Sequence, residues 1–434
     1  MVRGPVRLAV TVATTFHVIG AGMAGLAAAV RLSTWGCRVI VHEASAQAGG
    51  RCRSYFDRAL GCRIDNGNHL ILSGNDGIQR FLTQIGARDS LDGATDVPVF
   101  PFFDLRSGDR WRVRPNLGRM PWWIFCRNRR VPGTRAGDYL RVAPLLWAGA
   151  ADTVSDRLGG TAIYEKLWHP LAVSTLNTEA EHASAALLGR ILRETFGRGG
   201  AACRPLMPRV GLSESFVDPA LITLQRHGAE IRFGDRIRGL EFADGRVTAI
   251  LGGERTAIGE SDSVIVATTA PVAQQLVPGI MAPDQFRAII NAHFRVAVPS
   301  GRPSFLGLVG GVAEWVFVKP DVVSVTISAA DRLVAQSADD LLPRLWAEVA
   351  RALDLPSPMP PARLIREKRA TFAATPGQLR QRAGTRTAWP NLWLAGDWTA
   401  TGLPSTIEGA IRSGQRAAEL SQLGLKSDAI DQAA

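Results

Sequence analysis

Two kinds of pattern alternate along the chain. Thr15-Phe16-His17-Val18-Ile19 is a short run of β-favouring residues, and it leads through a glycine-rich turn into residues 24–35. There Ala24, Leu26, Ala27, Ala28, Val30 and Leu32 give a helix of small and apolar side chains, with Gly36 as its stop. Residues 37–42 return as a second buried strand that ends at Glu43. This strand, helix and strand predict a Rossmann-like α/β unit at the start of the chain. In the middle, residues 228–233 and 235–242 alternate polar with apolar, Ala243-Asp244-Gly245-Arg246 is a turn, and residues 247–251 form a third strand. That spacing predicts a β-meander. Residues 261–268 read as a buried strand that rejoins the first sheet, and residues 391–395 as an apolar strand that runs into Gly396-Asp397.

The turn after the first strand reads Gly20-Ala21-Gly22-Met23-Ala24-Gly25, and the acid Glu43 follows 23 residues after Gly20. Each residue has a separate physical task in a dinucleotide site. Gly20 permits the tight turn, Gly22 lets the backbone approach a pyrophosphate, and Gly25 lets helix and strand pack closely. The N–H groups at the helix start, at Met23 and Ala24, have no intrahelical partner and suit phosphate. Glu43 suits both hydroxyls of an unphosphorylated adenosine ribose. NAD and FAD share this fingerprint. Gly49-Gly50-Arg51 follows shortly, and it permits a second close backbone approach with an arginine able to reach a pyrophosphate or ribityl group. A glycine doublet in this place belongs with FAD, although these residues alone leave NAD open.

Composition narrows the partners. The 434 residues are 46% hydrophobic and 21% charged, which describes a globular protein of two or three domains. The net charge of +11 would suit nucleic acid or an anionic membrane. Only four of the fifty basic residues are lysine (Lys166, Lys319, Lys368, Lys426), which speaks against a phosphate-tracking surface, and no nucleic-acid partner is expected. The five cysteines show no CxxC pair or zinc spacing, so no metal site is expected and a reducing cytoplasm fits. No uncharged apolar run approaches the about 18 residues of a spanning helix. Arg3 and Arg7 ahead of residues 8–13 superficially resemble a signal peptide. Cleavage there would cut beside the first strand, so residues 1–14 are expected to be a loose leader, and 426–434 a loose tail. Residues 110–135 hold eight arginines and no acid, with Trp111, Trp122, Trp123, Ile124 and Phe125 among them. Two readings stay open for this stretch: a lipid headgroup zone, or a solvated basic loop whose tryptophans pack inward.

The N-terminal fingerprint, the Gly-Gly-Arg, and Gly396-Asp397 followed by Thr406-Ile407-Glu408-Gly409-Ala410-Ile411-Arg412-Ser413-Gly414 together resemble the flavin amine oxidase and carotenoid desaturase superfamily. Three further stretches, Asp65-Asn66-Gly67-Asn68-His69-Leu70-Ile71-Leu72, Leu167-Trp168-His169-Pro170-Leu171 and Met207-Pro208-Arg209-Val210-Gly211-Leu212, are similar to squalene-associated FAD enzymes, the hydroxysqualene dehydroxylases of bacterial hopanoid synthesis. That family often has Gln before the histidine, where this chain has Asn68. The resemblance covers about residues 16–418 and is loosest over 286–371.

The resemblance implies an α/β fold with a Rossmann-like FAD-binding domain, discontinuous in sequence, and an interleaved α+β substrate-binding domain. The expected division is 15–90, 205–270 and 380–425 for FAD, with 91–204 and 271–379 for substrate. It implies non-covalent FAD held by Gly20, Gly22, Met23, Ala24, Gly25, Glu43, Gly50, Arg51, Gly67, Asn68, Ile237, Asp397, Thr406 and Ile407. In the family, the residue matching Asp397 holds a ribityl hydroxyl, and the N–H groups matching Thr406 and Ile407 face the flavin pyrimidine. The residue matching Ile237 gives the adenine its backbone contacts, where the local pattern alone favours plain strand core. The implied partners are a C30 isoprenoid and isoprenoid synthases, and the headgroup reading of residues 110–135 adds an anionic surface on the inner face of the cytoplasmic membrane.

His69 and His169 are the candidate proton donors, since an imidazole of ordinary pKa near 6.5 suits acid catalysis at neutrality. Either residue also fits a structural role. Glu408 is either an acid near the flavin or, with Ser405, a capping box at a helix start. No Gly-x-Ser-x-Gly or His-Glu-x-x-His motif supports hydrolysis. The functions in view are reductive removal of an allylic hydroxyl from a C30 alcohol, oxidative desaturation of a carotenoid-like chain, amine oxidation, and flavin binding without catalysis beside an isoprenoid synthase. Relatives that oxidise amines often use a tyrosine cage, and this chain has no tyrosine after Tyr164. For dehydroxylation, tryptophan or phenylalanine faces are expected to shelter a developing allylic cation.

Overall fold

The computed structural model describes residues 14–93, 97–161 and 163–431, so the leader expected over 1–14 lies, except for Thr14, outside the described residues. The predicted strand and helix at the start form as β1 (Thr15–Ile19), α1 (Met23–Thr34) and β2 (Arg38–Glu43). β1 is buried along its whole length, and α1 buries ten of its twelve residues. Burial on both faces, which here takes in even Thr15 and His17, is what a central strand of a parallel sheet meets, because helices or loops cover both sides.

The sheet has five strands in the order Glu230–Phe233, β2, β1, Ser263–Val266, Leu392–Leu394, all paired in parallel. Its strands therefore come from the start, middle and end of the chain. The strand read at 261–268 rejoins this sheet beside β1. The meander differs from the expectation. Glu230–Phe233 leaves it to pair with β2, and the antiparallel unit is Gly239–Ala243, Arg246–Leu251 and Arg255–Ala257. The edge position explains the alternation: Glu230–Phe233 is open on one side, and half-coverage writes the same polar-apolar pattern as a hairpin strand.

A second sheet of seven strands holds Phe100–Asp104 and Arg110–Val113 at one edge and Phe286–Arg295 and Ala362–Phe372 at the other. One face packs through Phe294 on Trp346 of the helix Ala338–Leu353, with ring centroids 5.1 Å apart. Asn291 and Thr326, which are paired across two of its strands, instead line a cavity between the two sheets. A hairpin of β3 (Ser54–Asp57) and β4 (Cys62–Asp65) leads into this cavity wall, followed by α2 (Asp76–Gln84). The last helix, Ile407–Asp431, packs on α1 and runs on into the tail expected to be loose from 426.

Residues 110–135 divide between the two readings. Trp111 stacks on Phe102 at 5.6 Å and Trp123 packs edge-on against Tyr139 at 5.0 Å, both buried. Met120, Trp122 and Phe125 face outward, with Arg129 lying 4.8 Å over the Trp122 ring. Leu140 and Trp147, further along the chain, are also exposed, Trp147 being 78% exposed. No helix among the described residues is long and apolar enough to cross a membrane.

Candidate active site

A cavity of about 430 Å³ starts at the N-terminus of α1 and ends against the seven-stranded sheet. At its α1 end the wall is mostly main chain. Gly20 has φ +106, and a Cβ there would stand 2.7 Å from the Ala267 carbonyl oxygen. At Gly22 the reverse holds: nothing lies within 4 Å of a Cβ, so the missing side chain leaves open space beside Met23 and Ala24. No side chain caps α1, which leaves its first N–H groups available to a ligand. Gly25 has the packing task that its place in the turn predicts, since a Cβ there would overlap the Gly20 carbonyl, while the ligand contact implied by the resemblance has no counterpart in the cavity lining.

Glu43 closes β2 at the cavity edge, where Oε2 accepts from the Ala21 N–H at 2.7 Å and Oε1 from the Ser45 N–H at 2.8 Å. Gly50 lines the same wall. Ile237 lies in the loop before Gly239–Ala243, where it is buried in the hydrophobic core and also lines the cavity.

At the other end, side chains from distant segments meet. Arg51 is paired with Asp397 at 2.7 Å and donates to the Ala370 carbonyl, so within the protein it braces the carboxylate. Buried Arg382 lies beneath, donating to the carbonyls of Asp397 and Trp398 at 3.2 and 3.1 Å and to that of Thr399. Desolvation pushes its guanidinium down to about 10. The loop after β4 is pinned by a polar cluster in which Asn68 Nδ2 donates to Thr326 Oγ1 at 3.1 Å, Thr326 Oγ1 donates to Asn291 Oδ1 at 2.8 Å, and Asn291 Nδ2 donates to the Asn66 carbonyl at 3.3 Å. Gly67, Asn68 and His69 all line the cavity there.

His69 has no hydrogen-bond partner among the described residues. Burial, opposed by Asp65 and reinforced by Arg51, pushes its pKa down to about 4. The ordinary value of 6.5 therefore does not apply, and the imidazole is neutral at pH 7. His69 and Asn68 also form the wall of a second cavity of about 300 Å³, whose lining includes Met207, Phe317, Asp65 and Lys319. His169 is not brought to either cavity. It starts the helix His169–Leu176 and packs edge-on against Tyr164 at 5.5 Å. Among the described residues the long cavity is lined by no Trp, Phe or Tyr, so the aromatic faces expected there are represented only by Phe317 next door.

The start of the last helix completes the long cavity with Ser405, Thr406 and Ile407. The expected capping box does not form. Thr406 Oγ1 accepts from the Gly409 N–H at 3.0 Å, while buried Glu408 accepts from the N–H groups of Gly77 and Ile78 in α2 at 2.9 and 2.8 Å. Glu408 also pairs with Arg412, so it ties two helices together and is absent from the cavity lining. The Ser405 hydroxyl is buried without a partner on the cavity wall, as expected of a polar group that awaits a ligand. This orphaned hydroxyl, the open space at Gly22 and the uncapped helix start together fit an extended dinucleotide with a polar ring at the far end.

An elongated dinucleotide cradle on a parallel sheet, closed at one end by a second sheet, defines a class of flavoprotein. The profile of the flavin containing amine oxidoreductase family matches residues 23–298 and 313–420, and the chain belongs to that family. It is therefore an FAD-dependent oxidoreductase. The chain is 47% identical to hydroxysqualene dehydroxylase of Rhodopseudomonas palustris over 94% of its own length and 98% of that protein. It is also 47% identical to that of Sinorhizobium fredii, over 93% of this chain and 97% of the other. A probable zeta-carotene desaturase of Synechococcus elongatus is 22% identical over 60% of each chain. Among solved structures, a redesigned putrescine oxidase shares the fold with a TM-score of 0.70 at 15% identity, over 94% of this chain and 99% of that one.

Proposed function

We propose that this protein reductively removes the hydroxyl of hydroxysqualene to give squalene, in the supply of hopanoids and related triterpenoids. The observation that carries the reading is the 47% identity to a hydroxysqualene dehydroxylase over nearly the whole of both chains. The desaturase alternative rests on a much more distant likeness.

In this reading the α1 end, with Gly20, Gly22, Met23, Ala24, Glu43 and Gly50, holds the adenosine and pyrophosphate of FAD without a covalent bond. Ile237 borders the adenine, Asp397 faces the ribityl chain, and Gly67, Asn68, Thr406 and Ile407 surround the ring. FAD in its reduced form supplies hydride when bound. The chain's own residues must do the rest. Hydroxide is a poor leaving group, so the substrate oxygen has to gain a proton as the C–O bond breaks. His69, neutral and rigidly placed by the Asn68 cluster, presents an N–H that orients the hydroxyl. Its neutrality also spares the developing allylic cation from a like charge. Water would capture that cation, so the walls around it must stay dry. Anaerobic incubation of the reduced protein with hydroxysqualene, followed by hydrocarbon analysis, should yield squalene. A hydrocarbon fraction without squalene would overturn the reading.

The outward Met120, Trp122, Phe125, Leu140 and Trp147, among arginines, support docking on an anionic membrane from which a water-insoluble product or substrate is exchanged. Sedimentation with anionic vesicles at low salt should capture the protein. Capture that persists after neutralising Arg127, Arg129 and Arg130 would remove the electrostatic part. The division into a discontinuous FAD-binding domain and an interleaved substrate domain, and an isoprenoid synthase as neighbour in the same supply line, belong to the same proposal.

A further inference from the structure

Asn68 and His69 line both cavities, so the second cavity adjoins the long one, which FAD fills, at these two residues. Its walls are of two kinds. Met207, Pro208, Phe317, Val318 and Pro320 give it an apolar lining, while Lys319 and Asp65 bring a charge pair to the same wall. Its volume of about 300 Å³ lies at the lower end of ligand pockets, which suits a stretch of a long chain.

Lys319 is unusual among the basic residues here. Its Nζ lies 3.1 Å from Asp65 Oδ2 and donates to the Val210 carbonyl at 2.6 Å. An ammonium has three protons to donate, so one remains without a partner among the described residues. Asp65 is itself buried and fixed, its Oδ1 accepting from Ser54 Oγ at 2.6 Å and from the Leu212 N–H at 2.9 Å. The other cation of the lining, Arg209, pairs with Asp92 at 2.9 Å and is far more exposed. Apolar walls, an orienting imidazole and a spare ammonium proton therefore meet in one chamber.

We infer that the second cavity receives the hydroxyl-bearing stretch of the isoprenoid chain and that Lys319 is the acid which protonates the departing oxygen. The inference rests on the dehydroxylase reading. The C–O bond breaks with its electron pair going to oxygen, a proton from Lys319 Nζ makes that oxygen water, and hydride from reduced FAD forms the new C–H bond. The amine left on Lys319 regains its proton from solvent, to which the side chain is about one-third exposed. Asp65 offsets the positive charge beside the substrate and holds the amine in place.

The test compares hydroxysqualene with its acetate ester, whose leaving group departs as a stable anion without a proton. FAD content per chain, read by absorbance, checks that each variant folds. Lys319→Met should lower kcat for the alcohol by about a hundredfold, and the loss should shrink to within a few-fold for the ester. Lys319→Arg should fare no better with the alcohol, because a guanidinium does not release its proton. Met207→Trp should raise KM for both substrates about tenfold while FAD content stays normal. Equal losses for alcohol and ester, or full turnover in Lys319→Arg, would make Lys319 only a structural partner of Asp65 and overturn its role as acid. An unchanged KM in Met207→Trp would overturn the chamber. A wild-type protein that leaves hydroxysqualene untouched would instead sink the functional reading beneath both.

Discussion

The two ends of the long cavity are built by different means. At the α1 end the wall is mostly backbone, shaped by glycines at 20 and 22 and by an uncapped helix start, with the Glu43 carboxylate at its edge. At the far end side chains from distant stretches hold one another in two clusters, Arg51 and Arg382 on Asp397, and Asn68 with Thr326 and Asn291. A backbone wall binds what many dinucleotides share, whereas a side-chain wall can be altered one residue at a time to choose a reaction. That contrast accounts for a fold common to a putrescine oxidase at 15% identity.

The largest expected effect lies at the backbone end. Gly25→Ala would drive a methyl into the Gly20 carbonyl, and relieving it must part α1 from β1, at a cost of about 4 kcal/mol or more. Expression should give little FAD-loaded protein. A stable holoprotein from this variant would show that the α1 end is far more compliant than its packing implies.

Acid should next weaken both regions together. Burial pushes His17, beneath the α1 end, and His293, behind the far end, down to about 4. Between pH 6.5 and 4 the unfolded chain binds protons that the native state refuses. The contribution of these two histidines is therefore full above about pH 6.5 and falls as pH drops, by about 1.4 kcal/mol per pH unit for each, and Glu314, pushed up to about 7 by burial, offsets only part of the loss. Urea midpoints at pH 7 and pH 5 measure this, and equal midpoints would contradict it.

His69→Ala tests the side-chain end alone. FAD absorbance should be retained while squalene formation falls by about a hundredfold. Unchanged turnover would remove His69 from the chemistry. The smallest effect belongs to Glu43→Ala, which should weaken FAD binding about tenfold, the worth of one charged hydrogen bond. Titration of the apoprotein with FAD would reveal it, and an unaltered Kd would take the ribose away from Glu43.

The same contrast explains what could be read from the chain alone. The α1 end is written in contiguous residues, because a tight turn, a close approach and a helix start each demand a glycine at a fixed offset. The Gly-Asp strand end and the helix after it are legible for the same reason. Asn291 and Thr326 sit in strands of mainly apolar residues, and their only local trace is a polar side chain where burial is expected. Arg382 lies in a loop with no motif around it, and Lys319 meets Asp65 across 254 residues of sequence. His69 was visible as a candidate, but its neutrality depends on burial that periodicity does not report. His169, equally visible, turned out to pack against Tyr164. The meander is not legible strand by strand, because an edge strand and a hairpin strand alternate alike.

In the proposed reaction the long cavity presents reduced flavin directly to the carbon that loses its hydroxyl. Protein reconstituted with 5-deaza-FAD, reduced and carrying deuterium at C5 where hydrogen does not exchange with solvent, can be mixed anaerobically with hydroxysqualene and the hydrocarbon analysed by mass spectrometry. Squalene with one deuterium, on the carbon that bore the hydroxyl, is the predicted result; squalene without the label would contradict direct transfer.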